Sequence, residues 1–402
     1  MVSRFTSELL SSVTKPTAHK VPLAMLCLST SWGMREEQIL ALAAELHKGT
    51  HAVTLIVAPG SALHQQAQAH QVPCFTLPVR WKSFNLWSAR VVARWLERQQ
   101  ISVLMTTWAS DLAFANFIKA WGKKSLRLLH RQLEPLPTSS ALPAWWLVQQ
   151  VMRVDAWLAP SPRLARQLQA QAHVDMRRMW IVPPALLPEV EYHGHGLTQT
   201  ARNLLDLPEH THLIGVLDCG GDGPAFAIEA LYRMRQEHGC AAELVLMGGP
   251  DTPPELGRWA KLRELAHQLR MDHCVHLRPL HNASTPILFY RALDVLLLPT
   301  EADATGLNLL RAMTSCCPLV SVAAADALDL LEEQRTAAHL FARGDVAACA
   351  RALADILAVP GPARRMAQWA ATLVGRQCSP QRQRHQVEAI IDYISRHEVV
   401  VS

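Results

Sequence analysis

Between Leu296 and Val322 the chain carries the pattern that most narrows its fold. The apolar run Leu296-Leu297-Leu298 stops at Pro299, and a small polar loop with two carboxylates, Glu301 and Asp303, runs to Gly306. A helical pattern continues through Met313, and a second apolar run opens after Pro318. The order reads as strand, loop, helix, strand. In an open parallel sheet such a loop lies at the carboxyl end of its strand, the edge where these sheets bind ligands. Thr305, Gly306 and Leu307 would open the helix, whose free N–H groups and positive dipole end suit a phosphate. Gly306, with no Cβ, lets a ligand come close to the backbone.

The same rhythm recurs along the chain. Val21 to Ser29 is an almost continuous apolar run, as expected of a strand buried on both faces. It leads past Gly33 into helical spacing at Ile39, Leu40, Leu42, Ala43 and Leu46, which stops at Gly49. Ala52 to Val57, Cys74 to Leu77, Ile101 to Thr106, Ser125 to Leu129, Asp155 to Ser161 and Met179 to Pro184 are further strand candidates, and His130 stands just past the fourth of these. Glu189 to Thr200, rich in Gly, His and polar residues, makes the best interdomain linker. A second series then starts at Leu213 to Leu217, followed by Asp218-Cys219-Gly220-Gly221-Asp222-Gly223-Pro224. It continues through Ala242 to Met247 and Cys274 to Leu277. Later helices are expected over His281 to Tyr290, Leu328 to Arg335, Val346 to Leu357, Gly361 to Arg376 and Gln383 to Arg396. A chain of 402 residues fits two domains of roughly 150 to 200 residues each.

The stretch from Pro299 to Met313 resembles the donor-site loop of the retaining GT-B glycosyltransferases of family 4. Their pattern is proline, a small residue, Glu, a Gly-Phe-Gly-Leu-like turn, a second Glu, then Ala-Met. Anchoring on Gly306-Leu307 and Ala312-Met313 places Asp303 at the first acidic position and Arg311 at the second. The resemblance implies an α/β fold of GT-B type, with two Rossmann-like domains facing each other across a cleft. It implies a flexible leader at 1–20, an acceptor-side domain at 21–190, a linker at 191–205, a nucleotide-sugar domain at 206–375 and a C-terminal helix crossing back at 376–402. The implied reaction is hexosyl transfer, with retention, from a nucleoside diphosphate sugar to a glycan or lipid-linked cell-envelope acceptor. The donor is a substrate, and neither a cofactor nor a metal is required. Asp303 and His130 take catalytic places. Gly33, Gly220, Gly221, Glu301, Thr305, Gly306, Leu307 and Arg311 take donor-binding ones.

The departures from the family pattern are as specific as the matches. Asp218, Cys219 and Asp222 stand where the family carries the Arg and Lys that neutralise the diphosphate, and Pro183-Pro184-Ala185 replaces a Pro-Asn-Gly turn. Arg311 stands where the family's second acid accepts from ribose hydroxyls; a guanidinium only donates, so its expected partner is a phosphate. These losses leave open a catalytically inactive glycosyltransferase-like partner or scaffold in a polysaccharide or glycosylation assembly. Another GT-B enzyme, such as a sugar-nucleotide epimerase, is a third reading.

Charge separates the halves. Residues 1–200 carry a net +9 and residues 201–402 a net −4, so the first half is expected to face something anionic. Under the resemblance that is a charged acceptor or an anionic membrane, and nucleic acid is not among the expected partners. From Arg80 to Leu96 basic and aromatic residues interleave, which suits a helix lying in a membrane interface and equally a surface helix packing Leu86, Val91 and Trp95 on a sheet. The nine cysteines form no CxxC pair and read as buried thiols in a reducing compartment. No apolar run approaches the ~20 residues that span a bilayer, and the first twenty residues lack the apolar core of a signal peptide. Cytoplasmic residence is expected, with peripheral attachment to the inner face of a membrane as its variant.

Overall fold

The computed structural model describes residues 21–49, 51–78, 86–122, 125–133, 151–186, 196–217, 221–248, 253–279, 285–300, 307–323 and 338–396. They form two compact units, one running to Leu187 and resuming at Cys378, the other spanning Pro188–Gln377.

The first unit is a seven-stranded parallel sheet. Its strands are β1 (Leu23–Cys27), β2 (Val53–Val57), β3 (Cys74–Thr76), β4 (Val103–Thr106), β5 (Arg127–Arg131), β6 (Ala156–Ala159) and β7 (Met179–Ile181). The helices on it are α1 (Met34–Lys48), α2 (Ala62–Ala69), α3 (Leu86–Arg98), α4 (Ala109–Trp121) and α5 (Pro162–Ala172). Strand order is β3-β2-β1-β4-β5-β6-β7, so the winding direction reverses between β1 and β4. Every pairing is parallel, with Leu23 opposite both Val53 and Val103. β1 is apolar throughout because both its faces are covered: Ala24 and Leu26 enter one core, Leu23, Met25 and Cys27 the other. Local chemistry sets the helix starts. Ser61 and Ser161 accept at 3.2 Å from the N–H groups of His64 and Leu164, and Pro162 sits in the first turn of α5, where its missing N–H costs nothing.

The second unit is a six-stranded parallel sheet of β8 (His212–Leu217), β9 (Ala242–Gly248), β10 (Val275–Pro279), β11 (Val295–Leu298), β12 (Leu319–Val322) and β13 (His339–Phe341). Its order is β10-β9-β8-β11-β12-β13, with the reversal between β8 and β11. Helices α6 (Gly196–Leu204), α7 (Gly223–His238), α8 (Pro253–Gln268), α9 (Thr285–Ala292), α10 (Leu307–Thr314), α11 (Val346–Ala358) and α12 (Pro360–Gln377) surround it. Both units are therefore Rossmann-like, as the sequence rhythm implies.

The last helix, α13 (Pro380–Arg396), packs in the first unit. Val387, Ile390, Ile391 and Ile394, spaced as one helical stripe, join the core that holds Leu23, Met25 and Leu46. The Leu186 N–H donates to the Cys378 carbonyl at 3.0 Å, and Gln383 Nε2 to the Pro183 carbonyl at 2.6 Å. A Cβ at Gly49 would stand 2.6 Å from Glu388 Oε1, so the stop of α1 is also a close approach to α13.

One segment departs from its expectation. Within the stretch read as linker, Gly196–Leu204 is helical, because Arg202 is a buried staple. It donates to the carbonyls of Ala292 (2.9 Å), Glu209 (2.9 Å) and Thr211 (3.0 Å) and pairs with Asp294 at 2.8 Å. The leader at 1–20 and the helix expected over Leu328 to Arg335 lie outside the described residues. No single described helix is long and apolar enough to cross a membrane.

Candidate functional site

Each sheet has one carboxyl-edge reversal point, where ligands bind in such folds. In the second unit that point lies between β8 and β11. Gly223 opens α7 there, and a Cβ on it would lie 3.1 Å from Pro299 Cγ and 3.3 Å from Thr300 Cγ2. Glycine suits this position because the start of α7 touches the end of β11, and a Cβ would make the neighbouring atoms give way slightly. Gly221, two residues earlier, has φ +74, and a Cβ there would meet nothing within 4 Å, so its glycine serves the left-handed turn rather than packing. Asp222 is the N-cap of α7, but its carboxylate makes no capping bond. α10 starts at Leu307 on the same edge, with Leu307 and Asn308 buried. The Tyr290 hydroxyl donates to Asn308 Oδ1 at 3.4 Å. Two helix N-termini thus stand at one edge, an arrangement that attracts an anion.

In the first unit the point between β1 and β4 carries a polar cluster that the sequence does not announce. Asp111, in the first turn of α4, accepts from the Leu28 N–H at 3.1 Å, which fixes the chain as it leaves β1. Glu36, buried in the first turn of α1, accepts from Trp108 Nε1 at 3.0 Å. The Arg35 guanidinium stacks 3.9 Å above the Trp108 ring. Gly33 is the N-cap of α1 with an extended backbone. A Cβ there would sit 3.5 Å from Glu36 Oε2, an ordinary contact, so packing within the chain does not demand glycine.

β5 ends in two buried polar residues, His130 and Arg131, and buried Gln132 follows them. His130 is fully buried: Nδ1 lies 2.7 Å from Thr106 Oγ1 and Nε2 2.8 Å from Gln132 Oε1, and the ring meets Trp157 edge-on at 4.8 Å. An amide oxygen only accepts, so Nε2 carries the proton and Nδ1 accepts from the threonine hydroxyl. Burial pushes the imidazole pKa down to about 4, opposed by the bond to Gln132. Arg131 faces the other way. It is 1% exposed, donates to the Gln38 carbonyl and to Gln38 Oε1, both at 3.2 Å, and its Nε has no partner among the described residues. Burial lowers its pKa to about 10. Gln38 in turn donates to the Ala185 carbonyl at 2.7 Å, in the turn where Pro-Asn-Gly is replaced.

Family comparisons divide along the same line as the units. Residues 36–189 match the Glycosyltransferase Family 4 model, and residues 212–358 match that of Glycosyl transferases group 1. The chain belongs to the family 4-like glycosyltransferases. It is a transferase with the GT-B fold: two parallel-sheet Rossmann-like domains. No curated protein sequence matches it. A glycosyltransferase from Rickettsia africae shares the fold at TM-score 0.78 and 12% identity, over 92% of this chain and 97% of that one. HepE from Anabaena, in complex with UDP, does so at TM-score 0.78 and 14% identity, over 93% and 100%. Sucrose-phosphate synthase from Thermosynechococcus elongatus follows at TM-score 0.72 and 15% identity, over 93% and 99%. At such identities the likeness is one of fold.

Against this glycosyltransferase frame the expected site residues fall into three groups. Leu307 and Gly221 stand at and just before the starts of α10 and α7 on the β8–β11 edge, and Arg311 lies one turn inside α10. Gly33 and His130 belong to the β1–β4 region of the other unit, and His130 lies beneath the surface with both nitrogens engaged, so direct contact with a sugar would require it to give up a bond. Gly220, Glu301, Asp303, Thr305 and Gly306 lie outside the described residues. Reading by motif missed Glu36, Trp108, Asp111, Arg131 and Gln132. For Arg131 the signal was present, a charged residue closely following the apolar Leu128-Leu129. Among the described residues no group of three or more His, Cys, Asp or Glu is placed to hold a metal. The eight described cysteines are free, and burial raises the thiols of Cys27, Cys349 and Cys378 to about 12.

Proposed function

We propose that the chain transfers a hexosyl group from a nucleoside diphosphate sugar to a glycan or lipid-linked cell-envelope acceptor, with retention at the anomeric carbon. The observation that carries this reading is the edge at which Gly223 packs on Pro299 and Thr300 while α10 opens beside them. Backbone N–H groups there suit a diphosphate leaving group and stabilise the charge that develops on it. A neighbour of the same fold, HepE, has been captured with UDP and glucose, and we extend a donor of that class to this chain. Asp303 is the catalytic carboxylate beside the transferred sugar, with Glu301, Thr305, Gly306 and Leu307 lining the donor. Gly220 and Gly221 admit the diphosphate by close backbone approach. Arg311 supplies positive charge to the phosphates in place of the missing Arg and Lys. His130 acts from below, keeping the end of β5 in register through Thr106 and Gln132. A lipid-linked acceptor places the protein in the cytoplasm at the inner face of an anionic membrane.

Calorimetric titration with a panel of nucleoside diphosphates tests donor binding. Incubation with the matching sugar nucleotide and an acceptor, with the product's anomeric configuration read by NMR, tests transfer. The reading expects Asp303→Asn to bind donor without transferring sugar, and Arg311→Glu to bind more weakly than Arg311→Ala. Absence of binding to every diphosphate would sink it. That outcome would favour the second reading, an inactive partner or scaffold. Its supporting observation is the uncapped Asp222 carboxylate at the start of α7, where a phosphate at 4 Å would meet about 4 kcal/mol of repulsion at surface-like screening.

A further inference from the structure

Helix α3 is built with two opposed faces. Ala89, Val92, Ala93 and Leu96 are buried in the sheet core, and Trp95 stacks on Phe75 at 4.4 Å. On the far side Trp87, Arg90, Arg94 and Arg98 are exposed, Trp87 to 74%. At 100° per residue these four fall within an arc of ~80°, and they span ~16 Å along the axis. Among the described residues no side chain of the three arginines makes a hydrogen bond or ion pair. Exposed arginines on other helices include paired ones, Arg233 with Glu237 and Arg396 with Asp392, each four residues away; what sets α3 apart is that three arginines and a tryptophan share one arc. The single acid of α3, Glu97, lies at the edge of the arc and is half-buried.

We infer that this face of α3 is a docking surface for anionic lipid headgroups. Three guanidiniums in a row, with no carboxylate partner among the described residues, complement a layer of negative charge, and an indole at the end of the row suits the boundary between headgroups and acyl chains. A protein partner fits less well: a stable interface covers about 800 Å² per side around a buried apolar centre, and this stripe offers one apolar side chain. The location also matches the positive charge of the first half of the chain. The inference rests on the membrane-acceptor reading only for its biological setting, because lipid binding is measured without donor or acceptor.

The test is co-sedimentation of the full chain with phosphatidylcholine vesicles, with and without phosphatidylglycerol, at low and high salt. Binding is expected only to the anionic vesicles and is expected to fall with salt. Each guanidinium near the surface contributes roughly fivefold in partitioning, so R90E/R94E lowers it about 25-fold or more. Trp87→Ala lowers it severalfold. R364E/R365E changes net charge equally on exposed positions of α12 and keeps most of the binding. All these positions are exposed, so the melting temperatures of the variants should match the parent's. No binding to anionic vesicles at low salt overturns the inference, as does equal loss from the α3 and α12 pairs. A failed transfer assay leaves it untouched.

Discussion

His130 makes a quantitative prediction about acid stability. Its folded pKa is about 4, against an ordinary value of 6.5, because burial disfavours the charged ring and outweighs the bond to Gln132. Between those two values the unfolded chain binds a proton that the folded chain refuses. The contribution to stability is therefore complete above pH 6.5 and is lost as pH falls toward 4. A shift of this size corresponds to about 3 kcal/mol. His130→Asn removes the titrating group, so its stability should fall less steeply with acid than the parent's, by about 1.4 kcal/mol per pH unit inside that window. Urea melts of parent and variant at matched pH measure the difference. The ring resonances of His130, assigned by their absence from the variant, report the pKa directly. Titration of that ring near pH 6.5, or identical pH slopes for parent and variant, would refute the argument that burial holds it neutral.

Other substitutions test other joints. Gly223→Ala puts a Cβ 3.1 Å from Pro299 Cγ, a rigid ring, and should cost about 1 kcal/mol while weakening diphosphate binding measured by calorimetry. Ile391→Ala empties a fully buried site between α13 and the first sheet and should cost about 3 kcal/mol, read by calorimetry as a lower transition for that unit. Asp155 accepts from the Leu128 N–H at 2.6 Å and pairs with Lys119. Asp155→Ala leaves that half-buried ammonium, whose pKa burial already lowers, without its counter-charge. A loss of about 3 kcal/mol is expected, and a loss below about 0.5 kcal/mol, the size of an ordinary surface substitution, would mean that the pair is solvated.

The strands were readable because they are buried on both faces. β1, β4, β8 and β11 appear in the sequence as short apolar runs for that reason, and the reversal points follow from two such series. The helix at 196–204 was not readable. Gly196, Thr198, Thr200 and Asn203 favour a linker by composition, and the contacts that order it join Arg202 to Ala292 and Asp294, far along the chain. The polar cluster of the first unit was hidden similarly. Glu36 lies at the start of α1 and Trp108 and Asp111 at the start of α4, and only the parallel pairing of β1 with β4 brings them to one edge.

By itself the sequence determined the alternation of strand and helix and the two-unit plan, since each rests on local periodicity. Only the tertiary structure decided that His130 is a buried neutral ring, that Gly33 is not demanded by packing and that α3 turns a row of three arginines outward. Those outcomes depend on which distant residues desolvate or pair with a side chain, and local sequence order does not encode that.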